Sequence, residues 1–258
     1  MTHNPAYRRI LHRMGYYNYQ QGLIYRHLDQ EEGWEDHLHK SRRFILKAAA
    51  ILNPVKVTVL GSGWLLDFPL KEITEMACEV CLVDIVHPPE VIDQVSTLPN
   101  VKLKEGDVTG GLIREVWEQC AGRTFFNRLR SLREIRVPEY QPDEDPGMVV
   151  SLNILTQLES LPLAYIRKRV KARESEYYLF RKEIQKKHID FLGKHDSVLI
   201  TDLSEVVTDS SGKITEEPSV VTDLPRGRLR EEWIWCFEDK RTDYYTRRSD
   251  FKVLALIV

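Results

Sequence analysis

A glycine-rich turn after an apolar segment is the first place in this sequence where the residue types indicate chemistry. The segment 55–60 (VKVTVL) follows Pro54 and has the profile of a strand that is buried on both faces of a parallel sheet. A helical pattern begins soon after it, near Leu65. Glycines between a strand and a helix let the backbone approach a nucleotide-like ligand, and the helix N-terminus offers it free N–H groups. The turn consists of Gly61, Ser62 and Gly63.

Strand-like segments with helical patterns between them predict an α/β fold around this turn. Five short apolar segments alternate with helical patterns, and this order is typical of a doubly wound, mostly parallel sheet. Two further segments close the chain and bring the predicted sheet to seven strands. The strand segments are 55–60, 80–86, 101–104, 148–152, 197–203, 232–238 and 251–258; helical patterns cover 90–97, 112–120 and 159–192, and a loop is expected at 208–230.

The regions before and between these strands predict two additions to the sheet. Residues 1–54 show helical spacing, with a turn expected near Gly33, and predict a helical N-terminal extension ahead of the sheet domain at 55–258. The connection around 110–147 is long for a link between two strands. We therefore expect it to act as a lid or as a substrate-binding insertion.

The composition excludes several classes of protein. The chain has 258 residues, of which 42% are hydrophobic and 29% charged, with a formal net charge of −2. These values are typical of globular rather than disordered or membrane proteins. No apolar run approaches the ~18 to 20 residues that span a bilayer, and the N-terminus lacks the apolar core of a secretion signal. With only four scattered cysteines, we expect a cytoplasmic protein without a membrane partner.

With these landmarks in order, residues 55–258 resemble the class I S-adenosylmethionine-dependent methyltransferases, a Rossmann-like superfamily. The resemblance implies that the turn 61–63 passes under S-adenosylmethionine and that Asp84, at the end of the second strand, accepts hydrogen bonds from the ribose hydroxyls. It also implies that the last two strands form an antiparallel hairpin. The remaining implied cofactor-binding residues are Ile85 beside Asp84, Asp107 and Val108 at the adenine, and Asn153 at the exit of the fourth strand, facing the methionine part and the substrate.

Three features of the sequence depart from the pattern of that superfamily. The usual turn reads acidic-x-Gly-x-Gly-x-Gly, whereas this chain has Val59 at the acidic position and Leu65 at the third glycine. The valine removes a carboxylate that often faces the cofactor's amino group, and the leucine indicates a tighter or differently shaped turn, somewhat like that of nicotianamine synthases. The segment 151–158 (SLNILTQL) also lacks the Asn/Asp-Pro-Pro-Tyr/Phe signature of amino-group methyltransferases.

Two other classes of protein remain open beside a methyltransferase with a small-molecule substrate. An NAD(P)-dependent oxidoreductase shares the strand–glycine–helix arrangement, but its Gly-x-Gly-x-x-Gly turn would need a glycine where Leu66 stands. The Tyr-x-x-x-Lys pair of short-chain dehydrogenases is missing as well, because Tyr165 is followed four residues later by Arg169. A non-catalytic, methyltransferase-like binding module is consistent with the missing acidic residue and the missing third glycine.

Two basic stretches raise the question of a nucleic-acid partner. The stretches 123–136 and 166–187 contain aromatic residues between the basic ones, as nucleic-acid surfaces do. In the second stretch, glutamates at helical spacing from the basic residues are instead typical of a solvated helix face. Nucleic acid is therefore a weaker candidate partner than a small molecule, and the sequence gives no indication of an oligomeric state.

Cysteine and histidine pairs near these elements have a simpler explanation in packing. Cys78 and Cys81 are spaced like metal ligands, but Cys81 lies inside the second predicted strand and no second pair completes four ligands. Trp34, His37 and His39 could reach the cofactor from the N-terminal helices. We expect them instead to pack between helices or to lie on the surface, and we predict no metal site.

Overall fold

One mixed sheet forms the centre of the molecule. The computed structural model describes residues 3–121, 129, 131–238 and 247–258. The sheet has the order β3-β2-β1-β4-β5-β8-β7, and β6 pairs with β5 outside this path. Its strands are β1 (Lys56–Leu60), β2 (Glu79–Asp84), β3 (Val101–Glu105), β4 (Met148–Leu152), β5 (Ser197–Thr208), β6 (Ile214–Pro218), β7 (Arg230–Glu238) and β8 (Arg248–Ile257).

Helices cover both faces of the sheet, as the alternating pattern predicts. On one face, Phe44 packs in a single buried cluster with Val57 and Val59 of β1, and on the other face Leu192 packs with Leu60. Among the described residues, no helix has the length and apolar character of a membrane span. The helices are α1 (Pro5–Met14), α2 (Tyr16–Asp29), α3 (Glu31–Leu52), α4 (Leu70–Met76), α5 (Pro89–Val95), α6 (Leu112–Cys120), α7 (Ser160–Arg167) and α8 (Glu174–Leu192).

The strand order defines the fold class. Strands β1 to β5 run parallel, and the order reverses between β1 and β4, where doubly wound sheets bind ligands outside the carboxyl ends of their strands. β8 lies between β5 and β7 and is antiparallel to both. This closing hairpin distinguishes the class I methyltransferase-like Rossmann fold from other doubly wound sheets, and the predicted fold class is confirmed.

Two predicted helix boundaries are wrong. The helix after the glycine turn, α4, begins at Leu70 rather than near Leu65, because Pro69 disfavours helical conformation in the residue before it. The predicted helix 159–192 is divided into α7 and α8. The hydroxyl of Tyr177 in α8 donates to the carbonyl of Val170 at 2.8 Å and so holds the connection between the two helices in a non-helical path.

The turn expected near Gly33 also lies elsewhere. Helix α3 begins at Glu31 and continues through Gly33, and the break from α2 falls at Gln30. A Cβ atom built on Gly33 would lie 2.6 Å from the backbone oxygen of Cys236 in β7. Glycine at this position therefore allows a close approach of α3 to the sheet, and it does not form a turn.

Strand β6 lies inside the region 208–230, where the sequence predicts a loop. Its sequence (ITEEP) has no alternation of apolar and polar residues, and all five residues are exposed, so no strand pattern could indicate it. It pairs with residues 204–208 of β5, beyond the part of β5 that pairs with β4. The long β5 supplies the free edge to which this polar segment binds.

Candidate functional site

A cavity lies outside the carboxyl ends of β1, β2 and β4, where the order of the sheet reverses. Residues of the turns that follow these strands form one side of it, and residues of α2 and α3 form the other. The carboxyl ends of parallel strands meet at one edge of a sheet, so side chains distant in sequence come together there. All eight residues implied by the resemblance line this cavity: Gly61, Ser62, Gly63, Asp84, Ile85, Asp107, Val108 and Asn153.

The glycine turn has a conformation and a space that favour glycine. Gly61 has a φ of +79° and Gly63 a φ of +49°, in the left-handed region that other residues rarely adopt. The N–H of Gly61 donates to the carbonyl of Val83 at 2.9 Å, which fixes the start of the turn. A Cβ atom on Gly61 would lie 1.8 Å from Cγ2 of Ile154, whereas one on Gly63 would meet nothing nearer than 3.9 Å.

Leu65 adopts the backbone conformation of a glycine although it carries a large side chain. Its φ is +58°, and only 6% of the residue is exposed because it packs in one buried cluster with Phe68 and Ile73. The left-handed conformation costs a non-glycine residue roughly 1–2 kcal/mol, and burial of the side chain offsets this. Val59, at the expected acidic position, is fully buried in β1 and does not line the cavity.

We expect Leu65→Gly to be about 1 kcal/mol more stable than Leu65→Ala. Both variants lose the buried side chain, but only glycine adopts the left-handed conformation without strain. In a helix the order reverses, since glycine is about 1 kcal/mol less favourable than alanine. Leu70, equally buried at 6% in the first turn of α4, is the matched control. Urea denaturation of the four variants gives the free energies of unfolding, and alanine more stable than glycine at both positions would contradict this account of the turn.

Asp84 accepts hydrogen bonds from both sides of the cavity. Oδ2 accepts the N–H of Gly63 at 2.8 Å, and Oδ1 accepts the N–H of Ile85 at 2.7 Å and the side-chain amide of Gln20 at 3.1 Å. Burial raises the pKa of Asp84 above its ordinary value, although the Gly63 N–H favours the charged form. Gln20, in α2, had no signal in the sequence beyond its place in a helix.

Asp107 joins α1 to the start of α6. Oδ1 accepts the N–H of Thr109 at 2.9 Å and also its hydroxyl, and Oδ2 accepts the hydroxyl of Tyr7 at 3.2 Å. The N–H of Ile113 in α6 approaches Oδ2 at 3.4 Å. Burial raises the pKa of Asp107. This carboxylate thus orders the protein around the cavity and also lines it.

Asn153 belongs to a polar group that the sequence did not indicate as a unit. Its Nδ2 donates to Oδ2 of Asp67 at 2.7 Å and lies 3.1 Å from Nε2 of His37. The indole N–H of Trp233 donates to Nδ1 of His37 at 3.1 Å, and burial lowers the pKa of His37 to about 3, so this histidine is neutral. Asp67 stands four residues beyond the glycine turn, and burial raises its pKa.

The N-terminal helices form the wall opposite the strand ends. Trp34 and His37 are buried and line the cavity, so they both pack between elements and reach the site, whereas His39 is exposed. The ring of His37 stacks on Trp235 with centroids 3.9 Å apart and planes 6° apart. Trp64, from the glycine turn, donates its indole N–H to the Gln20 carbonyl at 2.9 Å. The pairing of these residues across the chain has no signal in a single sequence.

Four polar atoms of the cavity wall are buried without a hydrogen-bond partner among the described residues. Such atoms are costly to bury, and a native structure normally satisfies them with protein, water or a ligand. Because all four residues line one cavity, a polar ligand in it could satisfy them together. The atoms are Oε1 of Gln20, Oγ of Ser62, Oδ1 of Asn153 and Nε1 of Trp235.

The insertion around 110–147 contributes little to this wall. Of its described residues, only Ile113 lines the cavity. Residues 122–128 and 130, which include much of the basic stretch 123–136, lie outside the described residues. In the stretch 166–187, Arg167 pairs with Glu174 at 2.7 Å and Tyr177 is buried. One basic side chain and one aromatic ring of this stretch therefore already have partners within the protein.

Comparisons with known proteins find similar structures only. No protein-family model and no curated protein matches the sequence. The N-methyltransferase NodS from Bradyrhizobium japonicum WM9, in complex with S-adenosyl-l-homocysteine, is 7% identical, with 84% of this chain and 86% of NodS covered and a TM-score of 0.38. A DhpI–SAH complex is 10% identical, with 92% and 94% covered and a TM-score of 0.37.

A third similar structure is the Burkholderia thailandensis 1,6-didemethyltoxoflavin-N1-methyltransferase with bound 1,6-didemethyltoxoflavin and S-adenosylhomocysteine. It is 11% identical, with 100% of this chain and 92% of that chain covered and a TM-score of 0.36. Because all three TM-scores lie below 0.5, we base the fold class on the strand order and the description of the site on its own geometry.

Proposed function

We propose that the protein binds S-adenosylmethionine in this cavity and transfers its methyl group to an acceptor. The observation that carries the proposal is the meeting of the glycine turn with two carboxylates, the buried Asp84 and the half-buried Asp107, at the point where the sheet order reverses. The buried polar atoms without partners in the same wall support it, because an adenosine-type ligand offers many donors and acceptors.

Each end of the proposed ligand has suitable partners. Oδ2 of Asp84 accepts one N–H and can accept a ribose hydroxyl as well, while a second hydroxyl would replace the Gln20 amide at Oδ1. The adenine would lie at Asp107, where its amine takes the place of the Tyr7 hydroxyl. The N–H of Val108 has no partner among the described residues and can donate to a ring nitrogen. The methionine part would then extend along the glycine turn.

Methyl transfer of this kind requires alignment more than acid–base chemistry. S-adenosylmethionine supplies an electrophilic methyl group on a sulfonium, which is already a good leaving group. The protein must hold the acceptor atom in line with that methyl and keep water out of the site. Asn153, Trp34 and Trp235, all buried, form the end of the cavity where the acceptor would lie. We assign no general base.

Calorimetric titration with S-adenosylhomocysteine, NADH and NADPH tests the proposal. We expect micromolar binding of S-adenosylhomocysteine and no binding of the two nicotinamide cofactors. Binding of a nicotinamide cofactor instead would support the oxidoreductase class. Binding of none of the three would overturn the proposal in favour of a non-catalytic module.

A further inference from the structure

A second cavity adjoins the first on the side of β5 and β6. Its wall includes carboxylates and aromatic rings of β5, β6, β7 and β8, and we call it the outer cavity. Because five residues line both cavities, a molecule whose reactive end lies at Asn153 could place its other end in the outer cavity. The residues that line both cavities are Tyr19, Leu23, Asn153, Gln157 and Trp235.

A row of side chains crosses four strands on the floor of the outer cavity. Glu217 of β6 is directly opposite Glu205 of β5, Glu205 is opposite Phe251 of β8, and Phe251 is opposite Trp235 of β7. Directly opposite residues point to the same face of a sheet, and like charges at such positions destabilise the strand pair. The two glutamates thus destabilise the pairing of β6 with β5, and we infer that they serve a purpose other than folding.

A bulge in β5 adds a third carboxylate to this face. Residues three apart in a regular strand point to opposite faces, so Asp202 and Glu205 would normally be separated by the sheet. The register of β5 with β8 shifts between Asp202 and Ser204, and both acidic residues line the outer cavity. Bulges commonly redirect a side chain next to a functional site.

The three carboxylates have no ion pair with any described residue. Their partners are hydroxyl groups: Thr156 donates to Asp202 at 2.5 Å, and Ser249 donates to Glu205 at 2.5 Å. A hydroxyl satisfies one lone pair but leaves the negative charge uncompensated. Together with Glu217, these groups give the outer cavity a concentration of negative charge that the described part of the protein does not neutralise.

One arginine, Arg181, lines the outer cavity and another, Arg26, lies beside it, and both already have a carboxylate partner. The guanidinium of Arg181 lies 3.3 Å from the buried carboxylate of Glu159. Arg26 pairs with Glu238 at 2.6 Å, and its guanidinium lies 5.0 Å over the ring of Phe237, which also lines the outer cavity. The aromatic rings of this region therefore already attract one cation.

Two of the buried atoms without a partner connect the two cavities. Nε1 of Trp235 and Oδ1 of Asn153 have no hydrogen-bond partner among the described residues, and both residues are more than nine-tenths buried. Because each residue lines both cavities, a polar ligand that passes from one cavity to the other would lie against both residues and could satisfy these atoms. This observation is independent of the carboxylates.

We propose that the outer cavity binds the positively charged end, an ammonium or a guanidinium, of the methyl acceptor. The inference rests on the proposed function and names its substrate class: a basic compound rather than an acid or an uncharged alcohol. Carboxylates and aromatic faces together are the surroundings that organic cations prefer. The cation contacts Glu205, Asp202 and Glu217, and a separate, uncharged nucleophilic atom of the same molecule lies at Asn153.

Methyl transfer to such an acceptor is possible when its cationic group and its methylated atom are different atoms. A protonated ammonium has no lone pair, so the methylated atom at Asn153 must be a different atom of the acceptor, one that keeps a lone pair; here it is an uncharged one. Its lone pair forms the bond to the methyl carbon, the carbon–sulfur bond breaks, and its electrons remain on sulfur in S-adenosylhomocysteine. The methylated atom then releases its proton to water. The charged end in the outer cavity is unchanged throughout.

Three probes of similar size that differ in the charge of the group at one end test the proposal. Tyramine, tyrosol and 4-hydroxyphenylacetate share a 4-hydroxyphenyl ring and are cationic, neutral and anionic at pH 7. We expect the protein saturated with S-adenosylhomocysteine to bind tyramine at least tenfold more tightly than tyrosol, and tyrosol more tightly than the acid. The advantage of tyramine should fall between 50 and 500 mM NaCl, because salt screens exposed charges.

Variants separate this proposal from the proposed function. In Glu205→Gln and Asp202→Asn the preference for tyramine should fall to less than threefold, while the affinity for S-adenosylhomocysteine is unchanged; Glu90→Gln, exposed in α5, should change neither. Equal binding of the three probes, binding of none, or preference for the acid would overturn the inference. If S-adenosylhomocysteine itself fails to bind, the proposed function is wrong, and the same titrations on the protein alone then decide whether the outer cavity selects cations.

Discussion

Replacing Gly61 with alanine is expected to lower the free energy of unfolding by about 3 kcal/mol. The new Cβ would lie 1.8 Å from Cγ2 of Ile154 and 3.1 Å from the carbonyl oxygen of Leu152. Overpacking of this kind costs roughly 1–3 kcal/mol, and the left-handed conformation roughly 1–2 kcal/mol more. Urea denaturation measures the loss, and calorimetry should show weaker binding of S-adenosylhomocysteine, because the turn beneath the proposed ligand is displaced.

Gly63→Ala is the matched control for this change. Gly63 is also left-handed, with a φ of +49°, but a Cβ there meets no atom closer than 3.9 Å, so we expect a loss of only about 1 kcal/mol. The double variant Gly61→Ala/Ile154→Ala removes the clashing methyl group and should show less than the sum of the two single losses. Equal losses for Gly61→Ala and Gly63→Ala would refute the role of Ile154.

Asp84→Asn is expected to weaken binding of S-adenosylhomocysteine at least a hundredfold, or about 3 kcal/mol. Hydrogen bonds to a charged group are worth about 1.5–3 kcal/mol each, and the amide loses both the charge and one acceptor. Asp93→Asn, exposed in α5, should leave binding unchanged. An unchanged dissociation constant in folded Asp84→Asn would show that the ribose is not bound at this carboxylate.

The same variant tests the pH dependence of binding. Burial raises the pKa of Asp84, so the ionised acceptor is present above that raised pKa and is lost as the pH falls through it. Affinity should therefore decrease on acidification at a higher pH than an ordinary aspartate would cause. Asp84→Asn should lack this part of the pH dependence, which titrations across the acidic range can measure.

The sequence predicts the sheet and one side of the cavity because both follow from local patterns. Apolar runs that end in a glycine turn or an aspartate mark strands buried on both faces, and parallel strands bring their carboxyl ends together whatever separates them in sequence. The resemblance to the class I methyltransferases selects Asp84, Asp107 and Asn153, and that rule brings the three residues around one space. It needs no knowledge of how side chains pack.

The other side of the cavity depends on contacts that no local pattern records. Gln20 reaches Asp84, and Tyr7 reaches Asp107, across 64 and 100 residues of the chain. Strand β6 was missed for a related reason, since its residues are all exposed and only the free edge of β5 defines it. Contacts between distant parts of the chain thus determine these features, and a single sequence does not show such contacts.

Gly33 shows that a position outside the cavity can tolerate as few substitutions as a position within it. Its backbone lies so close to β7 that the Cβ of any other residue would lie 2.6 Å from the backbone oxygen of Cys236, so α3 and β7 would have to move apart. His37 stands one helical turn further along α3 and forms part of the cavity wall. In a saturation scan for activity, position 33 would therefore appear as restrictive as a ligand contact, although it does not line the cavity.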